Sequence, residues 1–134
     1  MHHVFEIKTD AFQGIAPRPE AINELVGGDE MAEWLCKQLD TDGLSSDIIG
    51  PEDYGWEANI VFQDRFYRLI CSCDFDALAV HANQHIVQLV YRRSLMDKLF
   101  GRNKLTEPDP VLSKLRGVLS ERSDFTILHD QTAR

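Results

Sequence analysis

The chain has 134 residues, of which 43% are hydrophobic and 27% are charged, and its net charge is −8. This length and composition are typical of one globular domain and exclude disorder of the whole chain. Its three cysteines, two of them one residue apart, exclude a disulfide framework and favour a reducing compartment. Because the start does not resemble a leader and no apolar run is long enough to span a bilayer, we expect a cytoplasmic protein.

The first third of the chain contains one strand signal and one clear helix signal. Apolar and polar residues alternate between His3 and Ile7, which predicts a strand. The stretch 10–28 is interrupted by prolines and predicts no single conformation. Asp29 can cap a helix whose apolar residues recur every fourth position, and Gly43 is suited to end that helix.

The middle of the chain predicts antiparallel strands. Apolar residues alternate over 56–62 and again over 67–73, and residues 63–65 form a short polar turn between the two runs. This pattern is typical of an antiparallel hairpin. A further strand is predicted over 85–92.

The last third predicts two helices and a closing strand. A short helix ends at Gly101, and Asp109-Pro110 is a typical start for a longer one. Residues 125–129 predict a strand, and residues 130–134 are expected to fray. The whole chain, residues 1–134, is therefore predicted to be a single α+β domain, with a mostly antiparallel sheet of about five strands and two main helices packed on one face.

Charge is distributed unevenly along the chain. The stretch from Glu20 to Asp64 has twelve acidic residues and one basic residue, whereas Arg65 to Arg134 has eleven basic and eight acidic residues. A concentrated negative field repels nucleic acid and anionic membranes and attracts basic proteins. We therefore expect a basic protein partner, with no nucleic acid and no membrane. The alternative is that these carboxylates form only a solvated face.

The segment around Pro51 is the candidate binding loop. Adjacent carboxylates next to aromatic residues in a loop can bind a cation or a basic surface. The alternative is that this segment has only a structural role, as a turn that leads into the following strand. Three aspartates precede this loop and add to its negative charge. The predicted binding residues are Glu52, Asp53, Tyr54, Asp40, Asp42 and Asp47.

Two cysteines and a histidine, Cys71, Cys73 and His85, are the candidates for catalytic chemistry. Zinc sites usually place two to four residues between paired cysteines, and here there is one. Strand alternation puts both cysteines on the inner face, whereas a reactive thiolate needs an exposed, electropositive setting. The sequence therefore predicts no metal, no cofactor and no catalytic residue. The alternative is a small metal- or thiol-dependent enzyme centred on these three residues.

A basic run follows the last predicted strand of the middle region. These residues could bind phosphate or RNA, but nucleic-acid-binding domains are usually net basic. We therefore favour the alternative that these cations pair with the carboxylates of the acidic first half of the chain. The residues of this run are Arg92, Arg93, Lys98, Arg102 and Lys104.

Three stretches of the chain, Met31–Leu35, Glu52–Trp56 and Ser94–Lys104, resemble a family of small uncharacterised bacterial domains. The shared motifs are Glu-Asp-aromatic-Gly-Trp and Leu-Phe-Gly-Arg-Asn-Lys, and the similarity covers most of the chain from about Glu24. This resemblance implies no catalytic residue. The size and acidity are also similar to those of immunity proteins that neutralise secreted toxins, which implies an immunity or antitoxin-like role.

Overall fold

The computed structural model describes residues 2–12, 26–41, 43–74, 84–92, 95–101 and 109–133. The elements in chain order are β1 (His2–Lys8), β2 (Val26–Gly27), α1 (Asp29–Leu39), β3 (Leu44–Glu52), β4 (Gly55–Phe62), β5 (Arg65–Asp74), β6 (Gln84–Arg92), α2 (Leu95–Leu99), α3 (Pro110–Glu121) and β7 (Thr126–Ala133).

The strands form one antiparallel sheet in the order β3-β4-β5-β6-β1-β7, and the short β2 pairs with β5. The α+β class and the antiparallel sheet are therefore as predicted, but the described strands exceed the expected five. The extra strands are β2 and β3, of which β3 forms one edge of the sheet. At the other edge, β7 pairs with β1 as far as Ala133, so residues expected to fray belong to the sheet.

The core lies between one face of the sheet and the two longer helices. Alternate residues of β1, β4, β5 and β6 point inward and are buried together with the apolar faces of α1 and α3. Polar contacts also attach the helices to the strands. The hydroxyl of Ser46 on β3 donates to the Cys36 carbonyl of α1 at 2.9 Å, and the hydroxyl of Tyr67 on β5 donates to Asp109 at 2.8 Å.

Candidate functional site at the acidic edge

The predicted carboxylates follow the edge strand β3 and its two ends. Asp47 is exposed in the middle of β3, and Asp40 is exposed at the end of α1, just before the strand begins. Glu52 ends the strand and is partly exposed. A nine-residue strand spans roughly 27 Å, so Asp40 and Glu52 lie at opposite ends of the edge. We call Asp40, Asp47 and Glu52 the acidic edge; Asp42 lies outside the described residues.

Asp40 and Asp47 both lie close enough to Cys36 of α1 for their charges to act on its thiol. Burial raises the pKa of the Cys36 thiol, and the negative charges of Asp47 and then Asp40 raise it further. Within the described part of the chain, no ion pair involves either aspartate. The end of α1 and the edge strand β3 therefore each carry an exposed carboxylate that has no ion-pair partner among the described residues.

The β3–β4 hairpin places Asp53 and Tyr54 at its exposed tip. Gly55 begins β4 with φ 148°, and a Cβ atom there would lie 2.4 Å from the Cys71 carbonyl oxygen. Only glycine therefore allows β4 to start this close to β5. The next residue, Trp56, is buried in the core, so the tip is held on a rigid base.

Tyr54 is half exposed, and its hydroxyl donates a hydrogen bond to Oε1 of Glu57. This bond raises the pKa of Tyr54 to about 12, because the neutral phenol is the form that donates. The charge of Glu52 acts in the same direction. The tip therefore presents a neutral, oriented tyrosine beside a carboxylate.

The residue that holds Tyr54 was not among the predicted site residues. Glu57 is only 4% exposed although it points to the open face of the sheet. Its Oε2 lies 3.5 Å from Nε of Arg68, which is an ion-pair distance but is too long for a good hydrogen bond. Nε of Arg68 is itself buried and makes no hydrogen bond within the described ranges.

The register of the β4–β5 hairpin offered a sequence signal for this pair. The turn at residues 63 and 64 sets Asn59 opposite Arg68, which makes Arg68 the diagonal neighbour of Glu57. Diagonal neighbours on one face of an antiparallel pair lie within reach of long side chains. The Glu57–Arg68 contact was therefore accessible to sequence reasoning once the turn had been placed.

Arginines elsewhere in the structure are paired away from the acidic edge. Arg65 pairs with Asp109, Arg116 with Asp130 and Arg122 with Asp124. Arg92, from the basic run, lies on β6, which is separated from β3 by β4 and β5. The side chains of Arg93, Lys98, Arg102 and Lys104 lie outside the described ones.

Two of the three candidate catalytic residues lie in the core, and the third is partly exposed. Cys71 and His85 are buried; burial raises the pKa of the Cys71 thiol and lowers the pKa of the His85 imidazole. Cys73 is partly exposed and is the cross-strand partner of His85, and both line a small pocket at the start of α1. Among the described residues, no group of three or more metal-binding side chains is placed to hold an ion.

Comparisons of the chain with protein-family models, with curated proteins and with solved structures find no match. The resemblances to small bacterial domains and to immunity proteins therefore stay predictions. In the part of the chain that the structure describes, none of the helices combines the length and the apolar character needed to cross a bilayer.

Proposed function

We propose that this chain is a non-catalytic binding protein whose acidic edge contacts a basic protein, with an immunity or antitoxin-like role in the cytoplasm. The observation that carries the proposal is that Asp40 and Asp47, just before and within an edge strand, are exposed carboxylates without an ion-pair partner among the described residues. The Cys71, Cys73 and His85 group is less suited to catalysis, because burial keeps the Cys71 thiol neutral and inaccessible.

Two physical effects suit this edge to a basic partner. Exposed charges of one sign steer a complementary protein into encounter, and the effect fades as salt shortens the Debye length from about 8 Å at physiological ionic strength. Tyr54 adds an anchor, because a half-exposed tyrosine whose hydroxyl is already bound loses little freedom on association. We therefore expect the acidic edge to set the association rate and Tyr54 to slow dissociation.

The test uses a partner recovered from the source cell and then purified. Association and dissociation rates are measured for the natural chain and for the double variant Asp40→Lys with Asp47→Lys. We expect the double variant to associate roughly tenfold more slowly, with a flatter dependence on salt, because the steering charge is reversed. Glu121→Lys is the matched control, since Glu121 is also an exposed carboxylate but lies at the end of α3.

Two outcomes would contradict the proposal. If the double variant associates as fast as the natural chain, the acidic edge is only a solvated surface. If the recovered partner is a nucleic acid rather than a basic protein, the electrostatic reasoning is wrong. Tyr54→Ala is tested in the same experiment, and an unchanged dissociation rate would remove Tyr54 from the contact.

A further inference from the structure

The short helix α2 presents large apolar side chains to solvent. Leu95 is 73% exposed, Met96 53%, Leu99 69% and Phe100 65%. The described part of the chain has nine exposed large hydrophobic residues, and four of them lie within the six positions 95–100. Exposed apolar residues are unremarkable when they are scattered singly, but a contiguous group marks an interaction surface.

These four residues share one face of the helix. They occur at positions i, i+1, i+4 and i+5, and the amide of Phe100 donates to the Met96 carbonyl at 3.1 Å, which continues the helical turn. At 3.6 residues per turn, such spacing gives one apolar stripe. A helix of a soluble domain normally turns this stripe toward the core, whereas the stripe of α2 faces outward.

The sequence that contains α2 is basic, whereas the chain as a whole is acidic. Between Arg92 and Lys104 the sequence has five basic residues and one acidic residue, while the net charge of the protein is −8. Arg92 is exposed at the end of β6, three residues before the helix begins. Apolar side chains next to lysine and arginine are typical of a helix that lies in the interface of an anionic membrane.

The position of α2 keeps the hairpin tip away from such a surface. Arg92 pairs with Phe66, at the end of β5 where the β4–β5 turn lies, whereas the β3–β4 hairpin is at the opposite end of the sheet. Asp64, in the β4–β5 turn, and Asp40, just before β3, lie at the same end of the sheet as Arg92 and oppose the attraction to anionic lipid. In the sequence, residues 92–104 include five basic residues and one acidic residue, a net charge of +4 that exceeds the charge of these two carboxylates.

We propose that Leu95, Met96, Leu99 and Phe100 insert into the headgroup region of an anionic lipid membrane. A lipid surface is favoured over a protein groove because a specific protein interface buries about 800 Å² per partner, more than six residues present, whereas a bilayer needs no matching shape. Binding is weak and reversible, since one short apolar face anchors marginally. The expectation of no membrane contact came from the negative charge concentrated between Glu20 and Asp64, whereas the segment around α2 is basic. The proposal does not depend on the acidic edge.

The experiment is flotation of the purified chain with two kinds of vesicle, phosphatidylcholine alone and phosphatidylcholine mixed with phosphatidylserine. We expect binding to the mixed vesicles only, and weaker binding at high salt. Leu99→Glu with Phe100→Glu should reduce binding by roughly tenfold or more, because two apolar side chains no longer enter the lipid. Ile49→Glu is the matched control, since Ile49 is a comparably exposed apolar residue on β3.

Several results would overturn the proposal. These are absence of binding to the mixed vesicles, equal binding to both vesicles, or an unchanged affinity of the double variant. Self-association that the double variant abolishes, seen by sedimentation without lipid, would show instead that a second copy covers the face. Circular dichroism confirms folding, and Leu95→Ser with Met96→Ser is a milder pair for the same measurement. Asp40→Lys with Asp47→Lys should not weaken vesicle binding although it removes the acidic edge, which separates this proposal from the acidic edge.

Discussion

Two buried carboxylates, Asp109 and Glu57, are each placed between a tyrosine and an arginine, but their surroundings differ. Asp109 accepts hydrogen bonds from the amides of Val111 and Leu112 at 2.9 and 3.0 Å, from the Tyr67 hydroxyl at 2.8 Å and from Arg65 at 3.2 Å. Glu57 accepts from the Tyr54 hydroxyl and has Arg68 only at 3.5 Å.

The difference separates a structural network from one that is open to a partner. Tyr67 is fully buried, and the Asp109 network caps α3 and attaches it to β5. Tyr54 is half exposed at a hairpin tip, and Arg68 leaves a buried nitrogen without a hydrogen bond in the described ranges. A completely satisfied network rigidifies a fold, whereas a buried donor without an acceptor costs free energy, so only the exposed Tyr54 side of the Glu57 network is open to a partner. The same three side-chain types can therefore serve stability in one place and recognition in another.

The largest effect should follow from removing Asp109. Asp109→Ala deletes the cap of α3 and leaves the Tyr67 hydroxyl and Arg65 without their acceptor, so we expect a loss of about 3–5 kcal/mol in the free energy of unfolding. Urea denaturation measures this loss. Asp109→Asn is the control, because its side-chain oxygen still accepts from the two amides, and it should cost clearly less.

Removing the charge of Glu57 should have a smaller effect. Glu57→Gln keeps an acceptor for Tyr54 but ends the ion pair with Arg68, so we expect a loss of about 1–3 kcal/mol. The same denaturation experiment compares the two sites. The contrast between the networks would fail if Glu57→Gln cost as much as Asp109→Ala, since Glu57 would then be as structural as Asp109.

The sequence predicts the Asp109 network better than the Glu57 network, for a physical reason. Asp109-Pro110 carries a local cap signal, and the structure confirms Asp109 as the cap with Pro110 at the first helical position. No local sequence pattern predicts that Glu57 is buried. Alternation predicts the face of the strand on which a side chain lies, but not how much of that side chain is exposed to solvent. Glu57 is buried because the β3–β4 turn brings the Tyr54 side chain into contact with it.

The edge strand β3 was missed for a related reason. The register of its pairing with β4 shifts between Ile48 and Gly50, and Pro51 follows. The apolar–polar alternation that is typical of a strand is therefore interrupted. The exposed residues Ser45 and Asp47 gave it the composition of a loop. The structure therefore places two of the predicted acidic residues, Asp47 and Glu52, on an edge strand that the sequence pattern did not predict.

The smallest effect on stability, and the sharpest test of the contrast, concerns the titration of Tyr54. Its hydrogen bond to Glu57 raises the pKa to about 12, from an ordinary value of about 10. Because the neutral phenol is the favoured form in the folded state, this stabilisation is present below pH about 10 and is lost as pH rises through about 12. Carbon-13 NMR of labelled tyrosine follows the titration, and Tyr54→Phe assigns the signal.

Glu57→Gln should lower the pKa of Tyr54 toward its ordinary value, because both the charge and the acceptor strength at Oε1 decrease. The pKa of Tyr67, which burial raises first and the bond to Asp109 raises further, should not change in that variant. This makes Tyr67 an internal control in the same spectrum. If the pKa of Tyr54 stays high without the Glu57 charge, the phenol is held by something other than Glu57. The hairpin tip would then lose the oriented tyrosine on which its proposed role as an anchor depends.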